Sequence, residues 1–269
     1  MAKVSCVMPT YRRFTCVERS IACFLAQETT LDTELIIYNT DVNHCLSLDQ
    51  SFSTDELARI KIVNNNIDSK TGQEYSNTGA IRRDALTHAT GNYYITWDDD
   101  DIFFPWNIEQ CYHGLQRTSA RAWKPYQSFI WTNSSRPSLE YNYLEATAMI
   151  YIEEVTFDET TGPENLSWFN RLRDQGQLSE DPHSIPAYCF YWKDPPDVGG
   201  QKQSGYINHA DNFSMHMEMT KDYATRPLTK RKLSHYRELF SVFDHEFNML
   251  PKDKEELILQ YVNPDYYLW

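Results

Sequence analysis

Short apolar runs and helical periods alternate through the first 115 residues. Residues 4–8 (VSCVM) form an apolar run stopped by Pro9, and residues 16–26 carry apolar side chains at helical spacing. Residues 34–38 (ELIIY) and 60–63 (IKIV) read as short buried strands, and 92–97 (NYYITW) as a strand rich in aromatic and β-branched residues. Residues 78–89 read as a helix with a basic face at Arg82 and Arg83, with Gly91 behind it as the stop. This rhythm predicts an α/β fold with a mainly parallel, doubly wound sheet. Ligands of such sheets sit beyond the carboxyl ends of the strands, so the candidate chemistry belongs to whatever follows each strand.

Beyond residue 115 the pattern changes. Residues 121–132 and 139–152 read as longer strands, 162–174 as a helix with Pro163 at its first position, and 185–192 as another strand. Residues 194–205 (DPPDVGGQKQSG) are turn-rich, and 230–247 and 252–262 read as C-terminal helices separated by Pro251. There is no internal repeat.

Composition narrows the class. The chain has 269 residues, 41% hydrophobic and 23% charged, a globular balance that excludes a disordered or collagen-like protein. It is long enough to bury a core without disulfide staples. No apolar run approaches the roughly 20 residues of a membrane helix, and MAKVSCVMPTYRR lacks the apolar stretch of a signal peptide. The net charge of −13 disfavours general binding to polyanions. Six scattered cysteines with no C-x-x-C pair read as reduced thiols of a cytoplasmic protein and argue against a zinc site.

The strongest chemical signal is the run Asp98-Asp99-Asp100-Asp101, directly after the NYYITW strand. Four adjacent carboxylates repel one another, so the run is either a solvated turn or a site for a hard cation. Its place at a strand's carboxyl end favours the cation. An EF-hand calcium loop is excluded by the missing glycine and distal glutamate. Mg²⁺ or Mn²⁺ held by one or two carboxylates together with substrate phosphates fits better.

The segments VSCVMPTYRR, ELIIYNTD, NTGAIRRDALTHATGNYYITWDDDD and FFP, in this order and spacing, resemble the nucleotide-sugar-binding half of family 2 glycosyltransferases with the GT-A fold. The likeness covers residues 3–110 well and continues faintly through Phe157-Asp158-Glu159 and the 163–172 helix. It implies residues 1–115 as the nucleotide-sugar half, 116–227 as the acceptor half of the same domain, and 228–269 as a C-terminal helical tail. It also implies roles. Thr10, Tyr11 and Arg12 line the base and ribose pocket with Asn39 and Asp41. Arg83 lies near the base and diphosphate, and Asp98 bonds the ribose. Asp100, with Asp98 beside it, holds Mn²⁺ or Mg²⁺, while Asp99 and Asp101 support.

Two positions depart from the family pattern. Where the second strand commonly ends in two aspartates, this chain has Asn39 and Thr40, with Asp41 one place later. An amide offers both a donor and an acceptor and can still read a pyrimidine edge. Where inverting members carry Glu-Asp, the chain has Glu164-Asn165, and an Asn cannot take a proton. Glu164 is therefore the expected catalytic base, with Asp101 as a second catalytic candidate and Asp158, Glu159 and Asp181 behind them.

The expected activity is metal-dependent, inverting transfer from a nucleoside diphosphate sugar, with UDP as the nucleotide. The acceptor is a glycan, a lipid-linked sugar, a protein or a modified nucleobase, and segment 194–205 closes over the donor. The basic stretch 223–237 could meet an anionic acceptor, although a solvated helix face explains it as well. His209 and His216 could reach the metal or acceptor, and aromatics after residue 120 such as Trp123, Trp168 and Tyr188 could stack on a sugar; a partly exposed and a core role, respectively, are the plainer readings. The alternatives are a non-catalytic sugar-nucleotide-binding protein and a nucleotidyltransferase or phosphohydrolase. The latter is disfavoured because VMPTYRRF has no glycine for a phosphate loop.

Overall fold

A computed structural model describes residues 2–131, 138–141, 145–159, 166–191 and 226–230. The frame is the expected parallel sheet. Strands β1 (Lys3–Thr10), β2 (Asp32–Asn39), β3 (Ile60–Asn64) and β4 (Tyr93–Thr96) lie parallel, with β1 between β2 and β4. The second half of the chain extends this sheet. β9 (Met149–Tyr151) pairs antiparallel with both β4 and β6 (Ala122–Pro125), and β10 (Leu178–Asp181) pairs parallel with β6 at the far edge. A smaller sheet, in the order β5 (Ile102–Phe103), β11 (Tyr188–Tyr191), β7 (Gln127–Trp131), β8 (Ser138–Tyr141), packs beside it.

The two-residue period of a strand divides its side chains between two cores. Val4, Cys6, Met8, Leu35, Ile37 and Ile95 join Val17, Ile21 and Phe24 of helix α1 (Phe14–Leu25) on one face. Val7, Ile36, Tyr38 and Tyr94 face the other way, against Ile81 and Ala85 of α3 (Thr78–Leu86) and Trp168 and Leu172 of α5 (Leu166–Asp174). Burial on both faces is what a parallel sheet requires, and it explains why these strands read as continuous apolar runs. Helix α4 (Asn107–Gln116) supplies Ile108, Cys111 and Leu115 to the first core.

Several sequence expectations need correction. Residues 121–132 are not one strand: β6 ends at Pro125, and β7 begins at Gln127 in the other sheet. Proline has no N–H for a continuing ladder. Residues 139–152 likewise divide into β8, a 3₁₀ turn (Glu145–Thr147) and β9. The short helix α2 (Thr54–Arg59) is an addition, started by a capping box in which Ser53 and Glu56 exchange bonds. The described part of the 162–174 helix is α5. The turn-rich 194–205 segment and nearly all of both C-terminal helices lie outside the described residues.

Residues 226–230 return to the first half. Leu228 is fully buried and bridges Leu48, while Glu18 of α1 accepts hydrogen bonds from Arg226 and Thr229. All six cysteines are free thiols. Among the described residues, no helix is long and apolar enough to cross a membrane.

Candidate functional site

Because β1 and β4 are adjacent and parallel, the residues that follow them meet at one edge of the sheet. Trp97 anchors that edge. Its ring is fully buried, stacks on Phe103 at 3.8 Å, and donates to the Ser20 carbonyl at 3.3 Å. The four aspartates leave it with different partners. Arg82, only 1% exposed, donates to Asp98 Oδ1 at 2.6 Å. Thr10 donates to Asp99 Oδ2 at 2.6 Å. Arg13 Nη1 reaches both Asp99 Oδ1 at 2.9 Å and Asp100 Oδ2 at 2.8 Å. Arg19 of α1 donates to the Asp100 carbonyl at 2.7 Å, and the Tyr188 hydroxyl donates to the buried carboxylate of Asp101.

The electrostatics follow from these contacts. Burial raises the Asp99 pKa, Arg13 opposes this, and the adjacent Asp100 adds to it, leaving the carboxyl above its ordinary value. Burial would weaken the Arg13 charge, but Asp100 and Asp99 outweigh it, so the guanidinium is held charged. Asp100 is the outward member of the run: its side chain is 20% exposed, against 12% for Asp98 and 5% for Asp99.

At the end of β2, Asn39 turns inward. Its Nδ2 lies within 2.8–3.2 Å of Asn64 Oδ1 and of the Asp41 and His44 carbonyls, and its Oδ1 accepts from the Asp41 amide. These bonds fix the β2 loop, and Asn39 also lines the cleft described below. Asp41 then carries the polar face: Arg12 Nε donates to Oδ2 at 2.9 Å, and His44 Nδ1 lies 2.8 Å from the same oxygen. Arg12, at φ +50, sits in the left-handed region and rests over the Tyr11 ring at 4.8 Å. Thr10, Arg12, Arg13, Asn39, Asp41 and His44 line one side of a cleft that Phe14, Val17 and Leu46 line with apolar surface.

Arg83 is not part of this edge. Its guanidinium is held by Asp84, Glu159 and Asp68, and Arg82 is the arginine that faces the acidic run. Helical period could have separated them, because position 82 lies on the inner face of α3 beside Ile81 and Ala85. Arg13 and Arg19 were not among the expected site residues. Only the order of the chain around the strand ends hinted at them, and Tyr188, weighed from the sequence as a ring to stack on a sugar, instead turns its hydroxyl to Asp101.

Glu164, Asn165, His209 and His216 lie outside the described residues. The Glu159 carboxylate is tied to Lys70 at 2.6 Å and to Arg83, with the Lys70 bond holding its pKa below the ordinary range. Asp158 packs its carbonyl against Gly79, leaving no room for a side chain there. Asp181 ends β10, three strands from β4.

As a cation site, the run offers one outward carboxylate with others close behind. That donor set suits Mg²⁺ or Mn²⁺ when substrate phosphates complete the shell. Among the described residues, no three His, Cys, Asp or Glu side chains stand together as an all-protein cage.

The fold is that of solved GT-A glycosyltransferases. S. aureus TarS 1-349 in complex with UDP-GlcNAc superposes with a TM-score of 0.53 at 13% identity, over 98% of this chain and 79% of that one. The same fragment in complex with UDP gives 0.51 at 14% identity, covering 98% and 78%. A further crystal structure of S. aureus TarS gives 0.52 at 13% identity, with 99% of this chain against 50% of that one. No curated protein sequence matches the chain. The family model described as Glycosyl transferase family 2 matches residues 5–195. With that match over most of its length, the chain is a member of glycosyl transferase family 2.

Proposed function

We propose that this glycosyltransferase takes its sugar from a UDP-sugar, with a divalent ion at Asp100, and inverts the anomeric centre. The observation that carries the reading is the outward Asp100 carboxylate at the shared edge of β1 and β4, beside the polar and apolar cleft that begins at Thr10. The relatives whose fold it shares are TarS fragments bound to UDP-GlcNAc and UDP.

In this reading the base lies in the cleft between Arg12, Phe14 and Asp41, and Asp98, oriented by Arg82, receives a ribose hydroxyl. Asp100 would hold Mn²⁺ or Mg²⁺, which would supply positive charge to the departing diphosphate. Asp99 and Asp101 position the strand end through Thr10 and Tyr188. The acceptor hydroxyl attacks the anomeric carbon, the bond to the diphosphate oxygen breaks with its electron pair, and a carboxylate takes the proton. Glu164 is the residue assigned to that step, because Glu159 is engaged by two cations and Asp181 lies at a distant strand.

The test is UDP release from a panel of UDP-sugars with Asp100→Ala. Turnover falls by at least ~10²-fold, with far-UV circular dichroism and melting temperature near wild type. Retained transfer would remove Asp100 from the mechanism.

A further inference from the structure

The acidic edge already contains a cation of its own. A single nitrogen, Arg13 Nη1, sits 2.9 Å from Asp99 and 2.8 Å from Asp100. It is the residue before α1, and the chain reaches it through Arg12 in the left-handed region. A non-glycine residue persists there only where its surroundings over-determine it. The strained turn therefore aims Arg13 at the edge.

Its two contacts are unequal. Asp99 is deeply buried and also bonded by Thr10, so the Arg13–Asp99 bond belongs to the interior. Asp100 is the less buried partner, its side chain 20% exposed. A divalent ion on Asp100 would need carboxylate oxygens, one of which Arg13 occupies, and would face a full positive charge in near contact. Two cations on one carboxylate repel unless further negative charge arrives.

We propose that Arg13 is a resident counter-cation that competes with the divalent ion for Asp100, so that the ion binds well only when a nucleoside diphosphate brings its own negative charge. Arg13 yields Asp100 on loading and keeps Asp99. The proposal rests on the assignment of Asp100 as ion ligand made above. It implies coupled binding, in which neither ion nor diphosphate is held firmly alone, and a bare site that does not scavenge cations.

The experiment measures Mn²⁺ binding by electron paramagnetic resonance of the free ion. The full chain is used as wild type, Arg13→Gln, Arg13→Lys, Asp100→Asn and the Arg13→Gln/Asp100→Asn double variant, each with and without UDP. Wild type binds Mn²⁺ weakly alone and more tightly with UDP. Arg13→Gln tightens nucleotide-free binding about tenfold or more, the size of effect a neighbouring charge exerts on a carboxylate, and the double variant loses that gain. Arg13→Lys, which keeps the charge without the forked reach, tightens it by less, and it decides the matter if the Gln variant does not fold. Unchanged or weaker Mn²⁺ binding in a folded Arg13 variant overturns the proposal. If that occurs while Asp100→Asn abolishes binding with UDP, only the competition fails. If Asp100→Asn leaves Mn²⁺ binding intact, or no form binds Mn²⁺, the ligand assignment falls and takes the competition with it.

Discussion

The Asp84 carboxylate accepts hydrogen bonds from the Ser69 amide and hydroxyl, from Tyr75 and from Arg83. Burial alone would raise its pKa, but Tyr75, Ser69 and Arg83 outweigh it and hold the group below the ordinary range. Folding thus favours the charged form. The stabilisation is complete above the unfolded value of about 3.9 and is lost as pH falls through the lower folded value. Asp84→Asn should destabilise the protein by about 1–3 kcal/mol at neutral pH and flatten the acid limb of its melting curve. Thermal unfolding from about pH 7 to about pH 3 reads both effects, and an acid limb as steep as wild type would show that the charge does not matter. Asp99 has the opposite sign: its pKa is raised, so ionising it opposes folding as pH climbs above the unfolded value. One carboxylate stabilises the scaffold, whereas the other is kept at the site against the scaffold's preference, a pattern typical of functional groups.

Helix α3 connects that scaffold to the site. A Cβ at Gly79 would lie 1.7 Å from the Asp158 carbonyl oxygen, so the 155–159 segment and the start of α3 touch backbone to backbone. Helix propensity alone predicts that Gly79→Ala stabilises by about 1 kcal/mol. Overpacking predicts a loss of about 1–3 kcal/mol and a displaced helix start. The contact is with backbone, which cannot rotate aside, so the loss should win. Arg82 is three residues further on, and transfer activity should fall with stability; a more stable, fully active Gly79→Ala would disprove the close approach. Sequence reading succeeded where a period was long enough to count. The runs at 4–8, 34–38 and 92–97 carried β1, β2 and β4, and their order put the acidic run at the strand ends where β1 and β4 meet. It failed where one residue decided the outcome. Pro125 ends β6, and a Ser-x-x-Glu box starts α2. Asn39 was legible as an anomaly, but its closure by Asn64 and the Asp41 and His44 carbonyls depends on a third strand and a loop that no local pattern reports.

At the scale of the whole molecule, residues 226–230 join the end of the described chain to its beginning. Arg226 and Thr229 bond Glu18, Lys230 bonds Glu56, and Leu228 sits fully buried in the core that also holds Leu46. Arg226 also lies 4.8 Å over the ring of Phe14, and Phe14 walls the cleft. This contact spans more than two hundred residues, so in the unfolded chain it carries a large loop-closure entropy that local packing must overcome. Leu228 is the main apolar contribution to that packing, and Leu228→Ala should destabilise by about 2–4 kcal/mol in denaturant unfolding. The second effect separates a strap from ordinary core. If the segment only fills space, the loss of stability is the whole result, and the donor KM is unchanged under conditions where the variant is folded. If it also braces Phe14 through Arg226, the freed wall weakens donor binding before the reaction, so KM for the nucleotide sugar rises while kcat changes little. The rise in KM is the expected outcome, because Arg226 is fixed by the same Glu18 that holds Thr229, and Leu228 between them cannot withdraw without moving both.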